Sequence, residues 1–194
     1  MIRAIIFDCF GVLVGRGFWD LYRVAGGDIN KDSIFIDDIL SRANSGLMSQ
    51  ADFHSEICEK LGITVNQWRD IVAREEPTNR ELLEFIKQKL KPKYKIGILS
   101  NANNGVAERK LGDWLNIFND VVVSAEVGMM KPDKEIFMLA CRRLGCRANE
   151  AVMVDDRQEY CVAANKIGMR YIVYKDLDQF KNEIYKILDL ANSN

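Results

Sequence analysis

From residue 79 onward the chain alternates between two kinds of segment. Short apolar stretches, residues 94–99, 121–123, 151–154 and 170–174, are separated by segments whose apolar residues recur at helical spacing, residues 79–90, 105–115, 133–144, 159–167 and 177–191. Strands divided by helices of this length imply a parallel sheet with helices on both faces. A further strand opens the chain at residues 2–7, an apolar run without alternation, as expected of a strand buried on both sides. It ends abruptly at Asp8, and Gly11 follows where the chain has to turn tightly. In open parallel sheets ligands bind beyond the carboxyl ends of the strands, so Asp8 stands where a ligand is expected. The fold class that follows is α/β, a three-layer Rossmann-like parallel-sheet core.

One segment interrupts the alternation. Residues 16–76 read as helices without clear strands. Ser49 has the position of a helix cap with Asp52 three residues on, Phe53, Ile57 and Leu61 share one helical face, and Gly62 marks the stop. Trp68, Ile71 and Val72 give the apolar face of the next helix. About sixty residues is far beyond a usual connection of roughly 4–6 residues, so this segment is expected to be a small inserted helical subdomain. The division is then 1–15 and 77–194 for the α/β core and 16–76 for the insert.

Composition narrows the class of function. With 48% hydrophobic residues, 28% charged and a net charge of −1 over 194 residues, the chain has an ample core and no basic field to recruit nucleic acid or an anionic membrane. No apolar run approaches the roughly 20 residues of a membrane span. Five scattered cysteines without a paired spacing point to free thiols in a reducing cytoplasm, and a single histidine, His54, excludes a multi-histidine metal site.

The strand ends, taken in order, are Asp8, Ser100-Asn101, Ser124 and Asp155-Asp156, with Lys131 just past the third strand. A parallel sheet gathers all of them at one edge. Three carboxylates crowded together repel, and a divalent cation relieves that repulsion. Ligands made of oxygen alone suit Mg²⁺. A hydroxyl and a lysine beside such a cation suit a phosphoryl group. On these grounds Asp8 is either a metal ligand or a nucleophile.

The ordered segments Ile5-Ile6-Phe7-Asp8-Cys9-Phe10-Gly11-Val12-Leu13, Ile98-Leu99-Ser100-Asn101, Gly128-Met129-Met130-Lys131-Pro132-Asp133-Lys134-Glu135-Ile136-Phe137 and Val152-Met153-Val154-Asp155-Asp156 resemble the four motifs of the haloacid dehalogenase-like (HAD) hydrolase superfamily. The match spans essentially the whole chain, and the insert resembles that family's small α-helical cap. The subgroup it is most similar to is the small-cap phosphatases, which include bacterial glucose-1-phosphate phosphatases. The resemblance implies that Asp8 is the nucleophile and that Mg²⁺ is held by Asp8, the backbone carbonyl of Phe10 and Asp156, with Asp155 as ligand or supporting partner. It implies that Ser100 and the Asn101 backbone bind phosphoryl oxygens and that Lys131 neutralises Asp8 and the phosphoryl group. The substrate implied is a small phosphorylated molecule, with sugar phosphates among the candidates.

The departure from the pattern is Phe10. Phosphatases that this chain resembles usually carry an aspartate there as general acid and base, and losing such a group costs about 10²–10⁴-fold in rate. Three functions compete. One is a phosphatase whose substrate has a good leaving group or whose proton donor lies elsewhere. Another is a 2-haloacid dehalogenase, opposed by the retained Asp155-Asp156 pair. The third is a catalytically weak or inactive binding module. Other residues draw weaker expectations. His54 reads as an exposed helix residue and Trp19 as one that closure could bring over a substrate. Arg16, Arg23 and Arg42 read as solvated charges, Arg157 as a counter-charge to the acidic pair, and Cys9 as pointing away from Asp8.

Overall fold

The computed structural model describes residues 1–15, 17–75 and 77–192. Five parallel strands form one sheet in the order β3-β2-β1-β4-β5: β1 Ala4–Phe7, β2 Lys95–Ser100, β3 Asp120–Val123, β4 Ala151–Asp155 and β5 Arg170–Val173. The α/β core expected from the alternation is the one observed. The central strand is β1, where Ile6 pairs with Gly97 on one side and Met153 on the other.

Successive side chains of a strand point to opposite faces, and here both faces are apolar. Ile5 and Phe7 of β1, with Val152 and Val154 of β4, lie on one face among Leu82, Leu83, Ile86, Phe180 and Ile184. Ala4 and Ile6, with Met153, lie on the other among Ile136, Phe137, Ala140 and Ala164. The first layer comes from α5 Arg80–Phe85 and α10 Leu177–Asn192, the second from α8 Lys134–Arg143 and α9 Gln158–Lys166. Gly97 sits inside β2. A Cβ there would lie 2.8 Å from Leu144 Cδ1, so the glycine makes room for the helix layer.

Before these come four helices, α1 Phe18–Val24, α2 Ser33–Asn44, α3 Gln50–Leu61 and α4 Val65–Glu75. They gather round an apolar cluster of their own built on Leu21, Tyr22, Ile36, Ile39, Ile57 and Trp68. Ser49 caps α3 by accepting the Asp52 N–H, and Gly62 ends it in the left-handed conformation. The segments leading into and out of these helices are tied together. Gly15 N–H donates to Pro77 O at 2.9 Å and Asn79 N–H to Leu13 O at 2.8 Å.

Two helices are shorter than their apolar spacing suggests. The 79–90 helix turns π-helical over Ile86–Leu90, and α6 covers only Val106–Leu111 before a 3₁₀ stretch, Gly112–Ile117. Gly112, at φ +50° and ψ −127°, takes a backbone conformation that a helix cannot continue through. A short helix absent from the sequence reading, α7 Ser124–Val127, follows β3 directly.

Candidate active site

Asp8 is the first residue past β1. Its N–H still donates to Val154 O at 2.8 Å, so the sheet fixes its backbone, and the Cys9 N–H donates to its Oδ1 at 2.7 Å. Lys131 reaches it from the loop before α8. Its ammonium lies 2.9 Å from Asp8 Oδ1 and 2.6 Å from Asp155 Oδ2, and its side chain is fully buried. The loop is held by Asn101, whose side-chain amide donates to Lys131 O and whose Oδ1 accepts the Lys131 N–H, both at 2.8 Å. The Tyr160 ring stands 4.8 Å from the ammonium. Asp155 is fully buried at the end of β4, and its second oxygen accepts the Arg157 N–H at 2.9 Å.

Asp156 completes the group from the solvent side. Asp8, Asp155 and Asp156 each offer an oxygen, all within 4.8 Å of one another. Gly11, at φ +78°, lets the Asp156 carboxylate rest directly against the backbone.

The electrostatics follow from this crowding. Burial raises the Asp8 carboxyl to about 7; the Lys131 ammonium opposes the rise and Asp155 and Asp156 add to it. Burial and then Asp155 raise Asp156 to about 6. Burial alone would lower Lys131, but Asp155 and Asp8 outweigh it and hold the ammonium charged above its ordinary range. Three carboxylates around one ammonium leave a formal charge of −2, which one divalent cation balances. The donors are all oxygen, as Mg²⁺ prefers. At the end of β2 the Ser100 hydroxyl is buried and, among the described residues, has no hydrogen-bond partner, so it is a donor in want of an acceptor. The residues present fit a hard divalent cation with an anion beside it.

The sheet thus brings together Asp8, Ser100, Asn101, Lys131, Asp155 and Asp156. Ser124, taken from sequence as a fourth member of this edge, is used otherwise. Its hydroxyl accepts the Ala102 N–H at 3.0 Å and donates to Ala102 O at 3.3 Å, bracing the loop after β2. The Arg157 charge opposes the rise at Asp156, as a counter-charge would, but more weakly than Lys131 does. Its guanidinium pairs with Glu159, donates to Tyr160 OH at 3.0 Å and lies 5.8 Å from the Trp19 ring of α1. Arg23 pairs with Asp20, and Arg42 with Asp38 and Glu56, as solvated charges do. Cys9 is buried in the apolar layer under the sheet. Arg16 lies outside the described residues.

Beside Asp8 opens a cavity of about 440 Å³ between the sheet edge and the inserted helices. Phe10 lines it while packing on Ala102, Val106 and Val123. His54, expected to be exposed, is half-buried in its wall. Burial, with Arg69, Arg109 and Lys110 nearby, lowers its pKa, so the ring is neutral at pH 7. The sequence reading missed Asn103, Tyr160 and Phe18 as lining residues. Only the pairing of Phe18 with Trp19 at the start of the insert hinted at an aromatic wall.

The haloacid dehalogenase-like hydrolase family matches residues 2–168. The chain belongs to this family. It is 31% identical over 199 residues to a glyceraldehyde 3-phosphate phosphatase of Methanothermobacter thermautotrophicus, covering 89% of this chain and 85% of that protein. It spans only 37% and 24% of the length of two further curated relatives. Among solved structures, a HAD-like family hydrolase from Porphyromonas gingivalis superposes with a TM-score of 0.77 at 22% identity, over 97% of this chain and 98% of that one. A HAD family enzyme from Bacteroides thetaiotaomicron, solved with magnesium and inorganic phosphate, gives 0.70 at 24% identity, over 90% and 95%. These likenesses establish the HAD-like fold. Among the described residues no helix is long and apolar enough to cross a membrane, and all five cysteines are free thiols.

Proposed function

We propose that this HAD-family hydrolase is a Mg²⁺-dependent phosphatase that hydrolyses a small phosphomonoester through an aspartyl-phosphate on Asp8. Residues 16–76 act as a cap over the site, and residues 1–15 and 77–194 carry the chemistry. The observation behind this reading is Lys131, fully buried and shared between Asp8 and Asp155 while Asp156 adds a third carboxylate. Removing an ammonium and its partners from water is costly, and an apolar set of side chains would fill that space at less cost. The cluster therefore makes sense as a device for charge transfer.

Asp8, Asp156 and the Phe10 carbonyl, with Asp155 supporting them, would hold the cation, which supplies positive charge against the phosphoryl oxygens. The Asp8 carboxylate attacks phosphorus, and the bond to the leaving oxygen breaks with the electron pair on that oxygen, which takes a proton from solvent; the water that attacks in the next step gives one back. Ser100 Oγ–H and the Asn101 N–H donate to the non-bridging oxygens, and Lys131 offsets the charge that gathers there. Water then attacks the phosphorus of the aspartyl-phosphate, which frees phosphate and restores Asp8. The cap limits the access of bulk water during this sequence. The phosphatase name of the Methanothermobacter relative and the magnesium and phosphate bound by the Bacteroides enzyme support this reading.

A panel of small phosphate esters assayed with Mg²⁺ and with EDTA tests it. Phosphate release that requires Mg²⁺ and disappears in Asp8→Asn is the expected result. Phe10 favours one second reading, a binding module without turnover. Release of phosphate from no ester, together with Mg²⁺-dependent retention of phosphate by the protein, would establish that alternative.

A further inference from the structure

The cavity beside Asp8 has two unlike ends. At the sheet edge stand Asp8, Asn101, Lys131 and Asp156. The opposite wall, contributed by the inserted helices, carries Phe18, Trp19, Leu40, Phe53, Trp68 and Val72. Trp68 is buried in the insert's own cluster. The other five are only half-buried although they pack against that cluster, and the cavity is what they line. Phe18 organises this wall, with its ring centroid 5.6 Å from Phe53, 6.1 Å from Trp19 and 6.5 Å from Trp68. Phe10 continues the apolar lining on the core side to within two residues of Asp8.

A sugar or polyol would need buried hydrogen-bond partners on this wall, since each hydroxyl left unpaired there is costly. Among the described residues the only charged side chain that the insert brings to the cavity is Asp37, which is exposed; its amides there, Asn44 and Gln50, are half-buried, and its one buried group without a partner, Trp68 Nε1, can serve a single hydroxyl and not the several of a polyol. Ser41 is exposed as well, and the His54 ring is half-buried beside cationic neighbours. A volume of about 440 Å³ is in the range that encloses a ligand of several carbons in addition to its phosphate.

We propose that the substrate's leaving group is an apolar alcohol of several carbons, its hydrocarbon part seated against the wall around Phe18 and Phe53, and not a sugar or polyol. This deepens the phosphatase reading and rests on it. Phe10 takes on a positive role: it extends the surface that the hydrocarbon touches, at the cost of a proton donor.

The test holds leaving-group chemistry fixed. Ethyl, butyl, hexyl and octyl phosphates are compared with glycerol phosphate and glucose 6-phosphate, all esters of primary alcohols. If the tail is buried, kcat/KM rises by up to about fourfold for each added methylene until the wall is covered, and the two polyol esters fall with or below ethyl phosphate. Phe53→Ser lowers the octyl-to-ethyl ratio by about tenfold or more, while Phe53→Leu keeps most of it. A merely structural lesion would depress both esters and leave the ratio unchanged. Equal or better turnover of the polyol esters overturns the proposal and leaves the phosphatase reading standing. If no ester is turned over, the phosphatase reading fails on its own, and binding decides the rest. Quenching of tryptophan emission by octyl phosphonate at far lower concentration than by methyl phosphonate supports the apolar seat, and equal concentrations overturn it.

Discussion

Gly11 and Asp156 touch in a way that permits no side chain at Gly11. A Cβ built there would overlap Asp156 Oδ2 and lie 2.5 Å from its Cγ. The backbone at φ +78° also disfavours any L side chain. In Gly11→Ala the carboxylate has to move away from Asp8 and Asp155, which breaks up the oxygen cluster before the fold is lost. The half-saturating Mg²⁺ concentration is expected to rise by about 10–100-fold, the usual effect of disturbing a group that positions a metal ligand. Activity titrated with Mg²⁺, alongside circular dichroism of the metal-free protein, separates this from unfolding. An unchanged Mg²⁺ titration with full activity would remove Asp156 from the metal site.

Asn101 was expected to offer its backbone to phosphate. What the structure shows is a task of its side chain, which makes two hydrogen bonds to the backbone of Lys131. Two such bonds contribute about 1–3 kcal/mol together. Asn101→Ala should therefore loosen the loop that aims Lys131 and lower kcat by about 5–100-fold, with a smaller effect on KM. Steady-state kinetics against any accepted ester checks this. A rise in KM at constant kcat would mean that Asn101 serves binding alone.

Much of this was legible beforehand, for a physical reason. Strands buried on both faces leave an unbroken apolar signal, and the residue at which that signal stops must lie at the sheet edge, so Asp8, Asp155 and Asp156 could be placed from the sequence. Ser124 stops a strand too, yet its hydroxyl serves the Ala102 peptide, because a small hydroxyl has many local acceptors and nothing in the chain says which it takes. His54 and Phe53 were harder to place. A helix packed between its own bundle and a cavity has two partly covered sides, and apolar spacing reports only one. The end of α6 at Gly112 was marked by the glycine itself, but glycine inside a helical pattern is ambiguous without its dihedrals.

The metal-free site should be sensitive to pH in a definite direction. Asp8 is raised from 3.8 to about 7 and Asp156 from 3.8 to about 6, chiefly by burial. The folded protein then holds protons that the unfolded chain has released. Their stabilising contribution is full below about 3.8 and is lost as pH rises through about 6 and about 7. A Mg²⁺ ion held here, as proposed, needs these carboxylates ionised and would remove their mutual repulsion. The gain in Tm on adding saturating Mg²⁺ should thus be small near pH 5 and grow to a plateau above about pH 7, while Tm in EDTA falls over the same range. Thermal unfolding across that series measures it. A gain independent of pH would place the cation elsewhere.

Phe10 carries the last prediction. It stands two residues past Asp8, lines the cavity and packs on Ala102, Val106 and Val123. It cannot protonate a leaving oxygen or take a proton from water. If that lack limits turnover of esters with poor leaving groups, Phe10→Asp should raise their rate by as much as about 10²–10⁴-fold, the usual contribution of a general acid and base. The same substitution removes apolar contact from the cavity and puts a fourth carboxylate near three others, so affinity for apolar esters and stability without Mg²⁺ should both fall. The informative measurement is the ratio of rates on a phenyl and an alkyl phosphate. Phenolate leaves without help, so its rate should change little while the alkyl rate rises. A parallel change in both would mean that departure of the leaving group is not what Phe10 limits, and the slow step would then be sought after that departure.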